Sequence, residues 1–262
     1  MTKSVATWFG ALPIFPKSTH APIAHNSVTT FLDLDKRGTG GSPTHVREHG
    51  SILAGLEKMT LVWMAQRLPQ WINSDHLTVL GFVAMLGAGM AYGLASRYPL
   101  ALLIVVLALA VNWFGDSLDG TLARVRNQQR PRYGFYVDHV LDMAGTFSLL
   151  GGLAYSGYMN PLLALGMLAA YMTAAAEEFL ATHVRRVFHL SFLGFGPTEL
   201  RIVLSVGTLY LLHRTWVHLG GLGVFRLFDV GGTVAIAGLI LKFVVSSVRN
   251  THALYLEERL PR

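Results

Sequence analysis

The sequence predicts an all-α integral membrane protein, in which six transmembrane helices follow an amphipathic helix that lies in the membrane interface. Hydrophobic residues make up 52% of the 262 residues and charged residues only 14%, whereas a soluble domain carries roughly 25% charged residues. The mean hydropathy is +0.44. Six apolar stretches follow in order, each near the ~20 residues needed to cross a hydrocarbon core, although the fifth is short. The predicted spans are 77–95, 99–115, 134–154, 161–181, 199–213 and 229–248.

The chain before these spans divides into two predicted segments. Residues 1–50 are rich in Gly, Pro, Ser, Thr and His without a helical period, so we expect a flexible cytosolic extension. Residues 51–71 place Leu56, Met59 and Trp63 at helical spacing with charged residues between them, which predicts the interfacial helix. Residues 72–262 then form the six-helix domain.

Charge predicts both the surroundings and the orientation of the chain. The net charge of +6 would suit nucleic acid or an anionic lipid surface, and the apolar spans favour lipid, so we expect no nucleic-acid partner. More Lys and Arg occur in the connections that would face inward if both termini were cytoplasmic. We therefore expect a bacterial inner (cell) membrane protein with a cytoplasmic active site. The absence of cysteine excludes disulfides and thiolate metal sites.

Four aspartates stand at the cytoplasmic mouth of the second and third spans, in a chain that is otherwise poor in charge. Asp116 and Asp119 are three residues apart, and Asp138 and Asp142 are four apart, so each pair shares one helix face. If the two faces meet, the carboxylates cannot all stay ionised at low dielectric without cations. Divalent ions bound through oxygen are the natural partners, and two such ions can stabilise a phosphoryl displacement.

Small residues and an arginine accompany the aspartates. Gly120 and Gly134 have no side chain, so a ligand or a backbone could approach closely there, and Ala123 adds only a methyl group to the same surface. Arg124 is suited to a bidentate contact with phosphate. A pair of aspartates at this spacing is usually a solvated helix end, but a charged cluster between apolar spans favours a functional site.

The pattern as a whole resembles the signature of the CDP-alcohol phosphotransferases, membrane enzymes of phospholipid synthesis. Asp116-x2-Asp119-Gly120-x2-Ala123-Arg124-x9-Gly134-x3-Asp138-x3-Asp142 contains each of the family's fixed positions in order. The resemblance implies that a CDP-linked donor binds across two Mg²⁺ or Mn²⁺ ions, that an alcohol attacks the phosphorus, and that CMP leaves. It covers the chain from about residue 70 onward.

The resemblance also implies roles for single residues. Asp116, Asp119 and Asp138 would hold metal, and Asp142 would hold metal or take the proton of the acceptor hydroxyl. Gly120, Ala123 and Gly134 would border the cytidine, and Arg124 would steady phosphate. Homodimers are common in the family, so a homodimer is a further expectation.

Weaker motifs resemble those of the choline and ethanolamine phosphotransferases. "DHVLD" places His139 after Asp138, and two later stretches, "EEFLATH" and "GFGPTEL", carry Glu178, His183 and Glu199. Those enzymes transfer a phospho-alcohol from a CDP-amino alcohol to a lipid hydroxyl, which we favour slightly. The other direction, from CDP-diacylglycerol to a small polar alcohol, stays open.

Several polar residues have two interpretations each. His139 is either a catalytic proton acceptor or a buried, hydrogen-bonded side chain. Of the adjacent Glu177 and Glu178, at most one enters the site, and we favour Glu178. Glu199 and Arg201 could form an internal ion pair or act in the site.

Outside the spans, two interpretations concern the cytoplasmic surface. Ser74 or Asp75 is expected to cap the first span rather than to contact nucleotide. Three arginines after the second span either bind anionic headgroups or anchor the orientation; they are Arg126, Arg130 and Arg132.

Two other classes of protein could use clustered carboxylates. A non-enzymatic cation carrier would place them inside its spans, but it does not require the glycines and the arginine in this order. Prenyl-diphosphate chemistry needs a second aspartate-rich motif on a long helix, which the sequence lacks. The carrier is the alternative to the enzyme.

Overall fold

The described part of the chain is mostly helical, as the apolar stretches predicted. The computed structural model describes residues 54–185 and 197–258, so the predicted N-terminal extension lies outside the described residues. The helices, in chain order, are α1 (Ala54–Arg67), α2 (Ser74–Ala95), α3 (Ala101–Val125), α4 (Pro131–Tyr155), α5 (Pro161–Arg185), α6 (Pro197–Leu211) and α7 (Leu227–Glu257).

Every predicted span falls on a helix, but the helices differ in how well they suit a bilayer. By length and composition, α2, α3, α5 and α7 are long and apolar enough to cross a membrane, which supports an integral membrane protein. α4 has 25 residues but carries two of the aspartates. α6 has 15 residues and rises about 22 Å, less than the ~30 Å of a hydrocarbon core. That α4 and α6 also cross stays a prediction.

Local sequence explains where several helices begin. Proline stands in the first turn of α4, where its missing N–H leaves no hydrogen bond unmade, and α5 and α6 begin at proline as well. The start of α2 differs from our prediction: the cap is Asn73, whose side chain accepts from the N–H of His76 while the His76 ring accepts from the N–H of Asn73. The expected caps, Ser74 and Asp75, lie inside the helix, where Ser74 binds a neighbouring helix instead.

The core forms where α2 packs along both α3 and α4. Small residues permit the closest approach: a methyl group added at Gly152 of α4 would overlap the carbonyl of Gly89 in α2. Around this crossing lie fully buried side chains that include Tyr92, Leu102 and Leu153. The hydroxyl of Tyr92 pairs with that of Thr208, which ties α6 to the same core.

α1 packs against α2 and α3 through a second apolar cluster. Leu61 and Ala65 are buried against Leu118 and Leu122. The other side of α1 exposes Met59 and Trp63. The guanidinium carbon of Arg67 lies over the Trp63 ring, 4.0 Å from the ring centroid. A helix therefore stands where we predicted one, with one side bound to protein, whereas its position in the membrane interface stays a prediction.

A β-hairpin that the sequence analysis did not predict joins α6 to α7. Strands β1 (Trp216–His218) and β2 (Val224–Arg226) pair antiparallel, with a short 3-10 turn at Gly220–Leu222 between them. Gly223 has a φ of 105°, a conformation that glycine adopts without a steric penalty. Three-residue strands leave too short a pattern for sequence periodicity to detect.

Candidate metal centre

Three of the predicted aspartates gather at one point between α3 and α4. One carboxylate oxygen from each of Asp116, Asp138 and Asp142 lies within 4.8 Å of the other two, and all three residues are partly buried. Oxygen donors of this kind suit hard divalent cations such as Mg²⁺ or Mn²⁺. The donor set therefore fits the metal that the resemblance implied.

The helix pair reaches this geometry through α2, which packs against both partners. A methyl group added at Gly115 would press on the backbone of α2 at Leu77 and Gly81, so glycine at this position lets α3 approach α2 directly beside Asp116. The resulting pocket combines the acidic residues of α3 and α4 with mostly apolar residues of α2. It is lined by Thr78, Gly81, Phe82, Met85, Asn112, Asp116, Asp119, Asp138, Leu141 and Asp142.

The fourth aspartate lines the same pocket and accepts hydrogen bonds from α2. The Asp119 carboxylate accepts a hydrogen bond of 2.6 Å from the Thr78 hydroxyl and another from the N–H of Gly120. Its main-chain carbonyl accepts from Ser74 at 2.9 Å. Asp119 is therefore oriented by hydrogen bonds from two helices, at the edge of the three clustered carboxylates.

Arg201 of α6 reaches the cluster, which is one of the two interpretations that the sequence left open for it. Its guanidinium forms an ion pair with Asp116 and donates a hydrogen bond of 2.8 Å to the side-chain oxygen of Asn112. Asn112 is buried and in turn donates to the carbonyl of Gly81 at 3.1 Å. We had left open whether Arg201 pairs with Glu199 or acts in the site; its pair with Asp116 joins residues 85 positions apart, a separation that local spacing does not encode.

His139 lies beside the cluster and packs among aromatic rings. Its Nδ1 donates to the carbonyl of Phe135 at 2.8 Å and lies 3.6 Å from a carboxylate oxygen of Asp138. The imidazole stacks on Phe135 at 4.2 Å between ring centroids and meets Phe179 edge-on at 5.2 Å. Because Nδ1 carries the proton, Nε2 is the basic nitrogen of the neutral ring.

The residues expected near the nucleotide lie on the last turns of α3 and the first turn of α4. Arg124 is exposed and donates to Thr121 at 2.9 Å. A methyl group at Gly120 would lie 3.4 Å from that guanidinium, whereas one at Gly134 would meet nothing within 4 Å. Ala123 is partly exposed between them. We call these four residues, which lie at the helix ends next to the aspartates, the rim; a side chain at Gly134 would meet open space.

Other predicted candidates make contacts of their own. Glu178 forms an ion pair of 2.7 Å with Lys242, and Glu177 accepts from Asn250 at the same distance, so both carboxylates of α5 bind α7.

Two arginines after α3 also have partners. Arg130 forms an ion pair with Asp75. Arg126 donates to main-chain carbonyls that include those of Leu68 and Pro69. These hydrogen bonds join the end of α3 to the connection between α1 and α2. Gly196 of the "GFGPTEL" stretch lies outside the described residues.

Comparison with known proteins identifies the class. The family model for CDP-alcohol phosphatidyltransferases matches residues 71–244, more than half of the chain and the whole of the carboxylate pocket. The chain therefore belongs to the CDP-alcohol phosphatidyltransferase family, and the resemblance drawn from its motif is confirmed.

A curated relative supports the same family. The archaetidylinositol phosphate synthase of Pyrococcus horikoshii is 29% identical over 104 residues. The matched region covers 39% of this chain and 52% of the relative, so the chain spans about half the length of that protein.

Proposed function

We propose that this protein transfers a substituted phosphate from a CDP-linked donor to an alcohol and releases CMP, as a step in phospholipid synthesis. The observation that carries the proposal is the convergence of Asp116, Asp138 and Asp142 at the pocket that the family match covers. Bound there, Mg²⁺ or Mn²⁺ would polarise phosphoryl oxygens and offset the charge of the donor's diphosphate.

The proposed metal ligands are Asp116, Asp119, Asp138 and Asp142, for two ions. Thr78 orients Asp119 by its hydrogen bond, and Arg201 holds Asp116 by an ion pair. These contacts fix the directions of the oxygens before any ligand arrives, which lowers the cost of organising the site.

We propose that either Asp142 or His139 accepts the proton of the acceptor hydroxyl. Asp142 stands within the carboxylate cluster, and the Nε2 of His139 is the basic nitrogen of its ring when Nδ1 donates to Phe135. In either case the accepting group must come within hydrogen-bonding reach of the attacking oxygen.

The rim formed by Gly120, Ala123, Arg124 and Gly134 is the proposed site of the nucleotide. The small residues Gly120, Ala123 and Gly134 leave room for a flat base at this rim. Arg124 is exposed beside it and can turn its guanidinium to a phosphate oxygen.

Two observations point to different donors. The family description names a phosphatidyl group as the transferred unit, which favours a lipid-linked CDP donor and a small polar acceptor. The "DHVLD" and "GFGPTEL" stretches favour a CDP-amino alcohol and a lipid acceptor instead. We propose the phosphatidyl direction, because the family match spans residues 71–244 and the stretches are short.

A donor panel tests the proposal. Purified protein with Mg²⁺ or Mn²⁺ would be incubated with CDP-diacylglycerol, CDP-choline or CDP-ethanolamine, together with membrane lipids and a set of polar alcohols. We expect CMP release with CDP-diacylglycerol and a new phospholipid by mass spectrometry. A product from the CDP-amino alcohols alone would reverse the direction. Movement of cations across vesicles without any CMP would favour the carrier.

A further inference from the structure

Glu57, in the first turn of α1, joins three helices through one carboxylate oxygen. Its Oε1 accepts from the indole N–H of Trp113 at 3.0 Å and from the hydroxyl of Ser117 at 3.4 Å, both on α3. It also accepts from the hydroxyl of Thr198 on α6 at 2.8 Å. Hydrogen bonds to a charged acceptor are among the stronger ones in proteins.

The contacts of Glu57 lie next to the candidate site on both helices. Ser117 follows Asp116 directly in α3. Thr198 and Arg201 are three residues apart in the first turns of α6, so they project from neighbouring positions of the same face. The α6 residue that meets Glu57 is thus within one turn of the residue that meets Asp116.

α6 is a short helix that packs along α3 and is joined to it by polar side chains near its start. It has 15 residues. The polar links between its start and α3 include the hydrogen bond from Thr198 to Glu57 and the bonds of Arg201 to Asn112 and Asp116. A carboxylate held by α1 therefore takes part in joining the start of α6 to α3.

We propose that Glu57 is a positioning residue, which holds the first turn of α6 against α3 so that Arg201 meets Asp116. α1 is then part of the machinery that organises the metal centre, in addition to any role at the membrane surface. This inference rests on the proposed function only for its effect on rate; its structural part does not depend on what the protein transfers.

The chain offers closely matched variants. Thr198→Val removes the hydroxyl and keeps the branched shape, whereas Thr198→Ser keeps the hydroxyl. Glu57→Ala removes the acceptor, whereas Glu57→Gln keeps an oxygen in its place. Because the sequence contains no cysteine, spin labels can be attached at cysteines introduced for Val79 of α2 and Leu200 of α6, which are both exposed.

The measurement is the distribution of distances between the two labels, recorded on full-length protein in lipid with excess unlabelled protein to suppress distances between copies. We expect a narrow distribution in the unaltered background, in Thr198→Ser and in Glu57→Gln, and a broadened one in Thr198→Val and Glu57→Ala. Unchanged distributions in the last two variants, or equal broadening in Thr198→Ser, would overturn the proposal.

Rates of CMP release, measured on the same variants without labels, test the link to Arg201. We expect Thr198→Val to lower kcat about tenfold with KM for the donor unchanged, since misplacement costs the transition state rather than binding. A broadened distribution with an unchanged kcat would overturn the positioning role. If the wild-type protein releases no CMP from any donor, the proposed function fails, and the label distances still decide whether Glu57 holds α6.

Discussion

Arg201 of α6 forms an ion pair with Asp116 of α3, so a cation from the fifth apolar helix offsets part of the negative charge of the carboxylate cluster. The pair is mostly shielded from solvent, with side-chain exposures of 17% and 21%. Without it, three carboxylates would face one another at low dielectric, where like charges repel strongly.

The first prediction follows from this charge balance. Arg201→Ala should lower the Tm of the metal-free protein by about 2–4 °C, which corresponds to about 1 kcal/mol in a chain of this size. Mn²⁺ should raise the Tm of the variant more than that of the wild type, because a cation replaces the missing charge. The measurement is thermal unfolding in detergent with and without Mn²⁺.

A matched control is Arg130→Ala, which breaks the more exposed pair with Asp75. Exposed pairs contribute ~0–1 kcal/mol, and this one lies away from the clustered carboxylates, so Mn²⁺ should shift its Tm as it shifts the wild type. An equal Mn²⁺ shift in Arg201→Ala and Arg130→Ala would contradict the assigned role of Arg201.

The second prediction separates the two interpretations of His139. His139→Phe keeps an aromatic ring between Phe135 and Phe179 but removes the basic nitrogen. If His139 takes the proton, kcat for CMP release should fall about 10²–10⁴-fold while the Tm stays close to that of the wild type. A normal kcat in His139→Phe, with a lowered Tm in His139→Ala, would leave only the packing role and assign the proton to Asp142.

The sequence predicts which residues of the site are neighbours on one helix, but it does not predict contacts between residues that are far apart in the chain. Asp116 and Asp119 share a helix face, as do Asp138 and Asp142, because helical spacing fixes which residues are neighbours. Apolar runs likewise predicted where the six helices of the domain lie. The partners of Arg201 and Glu57 lie far along the chain, and only packing decides such contacts.

The same reasoning explains the unexpected cap at the start of α2 and the unexpected partner of Glu178 in α5. Ser74, Asp75 and Asn73 are all good caps, so propensity alone could not choose among them. Glu178 was favoured over Glu177 for the site, which stays a prediction, and sequence reasoning did not foresee that Lys242 of α7 pairs with it. A partner on another helix leaves no trace in the local pattern.

The third prediction concerns the crossing of α2 and α4. Gly152→Ala should destabilise the protein by about 1–3 kcal/mol, the usual cost of overpacking, because the added methyl group would overlap the carbonyl of Gly89. Gly151→Ala is the matched control, since a methyl group there would meet nothing within 4 Å. Thermal unfolding of the two variants makes the comparison, and equal Tm values would contradict the close packing.

The fourth prediction concerns the proposed orientation in the membrane. Gln129 follows α3 next to the site, and His218 lies in the hairpin between α6 and α7; both are exposed. In the cysteine-free background, Gln129→Cys should react with a membrane-impermeant maleimide only after the cytoplasmic face is opened, whereas His218→Cys should react in intact cells. The reverse pattern would contradict a cytoplasmic active site.

The central claim, that the aspartates hold divalent metal, is tested most directly by titrating Mn²⁺ into purified, metal-free protein and following the bound ion by electron paramagnetic resonance. Glu257→Gln serves as the control, because that carboxylate is exposed at the end of α7. We predict saturable Mn²⁺ binding in the wild type and in Glu257→Gln, and binding at least about tenfold weaker in Asp138→Asn and Asp142→Asn, as each loses a charged ligand. Equal Mn²⁺ binding by all four proteins, or none by the wild type, would contradict the account.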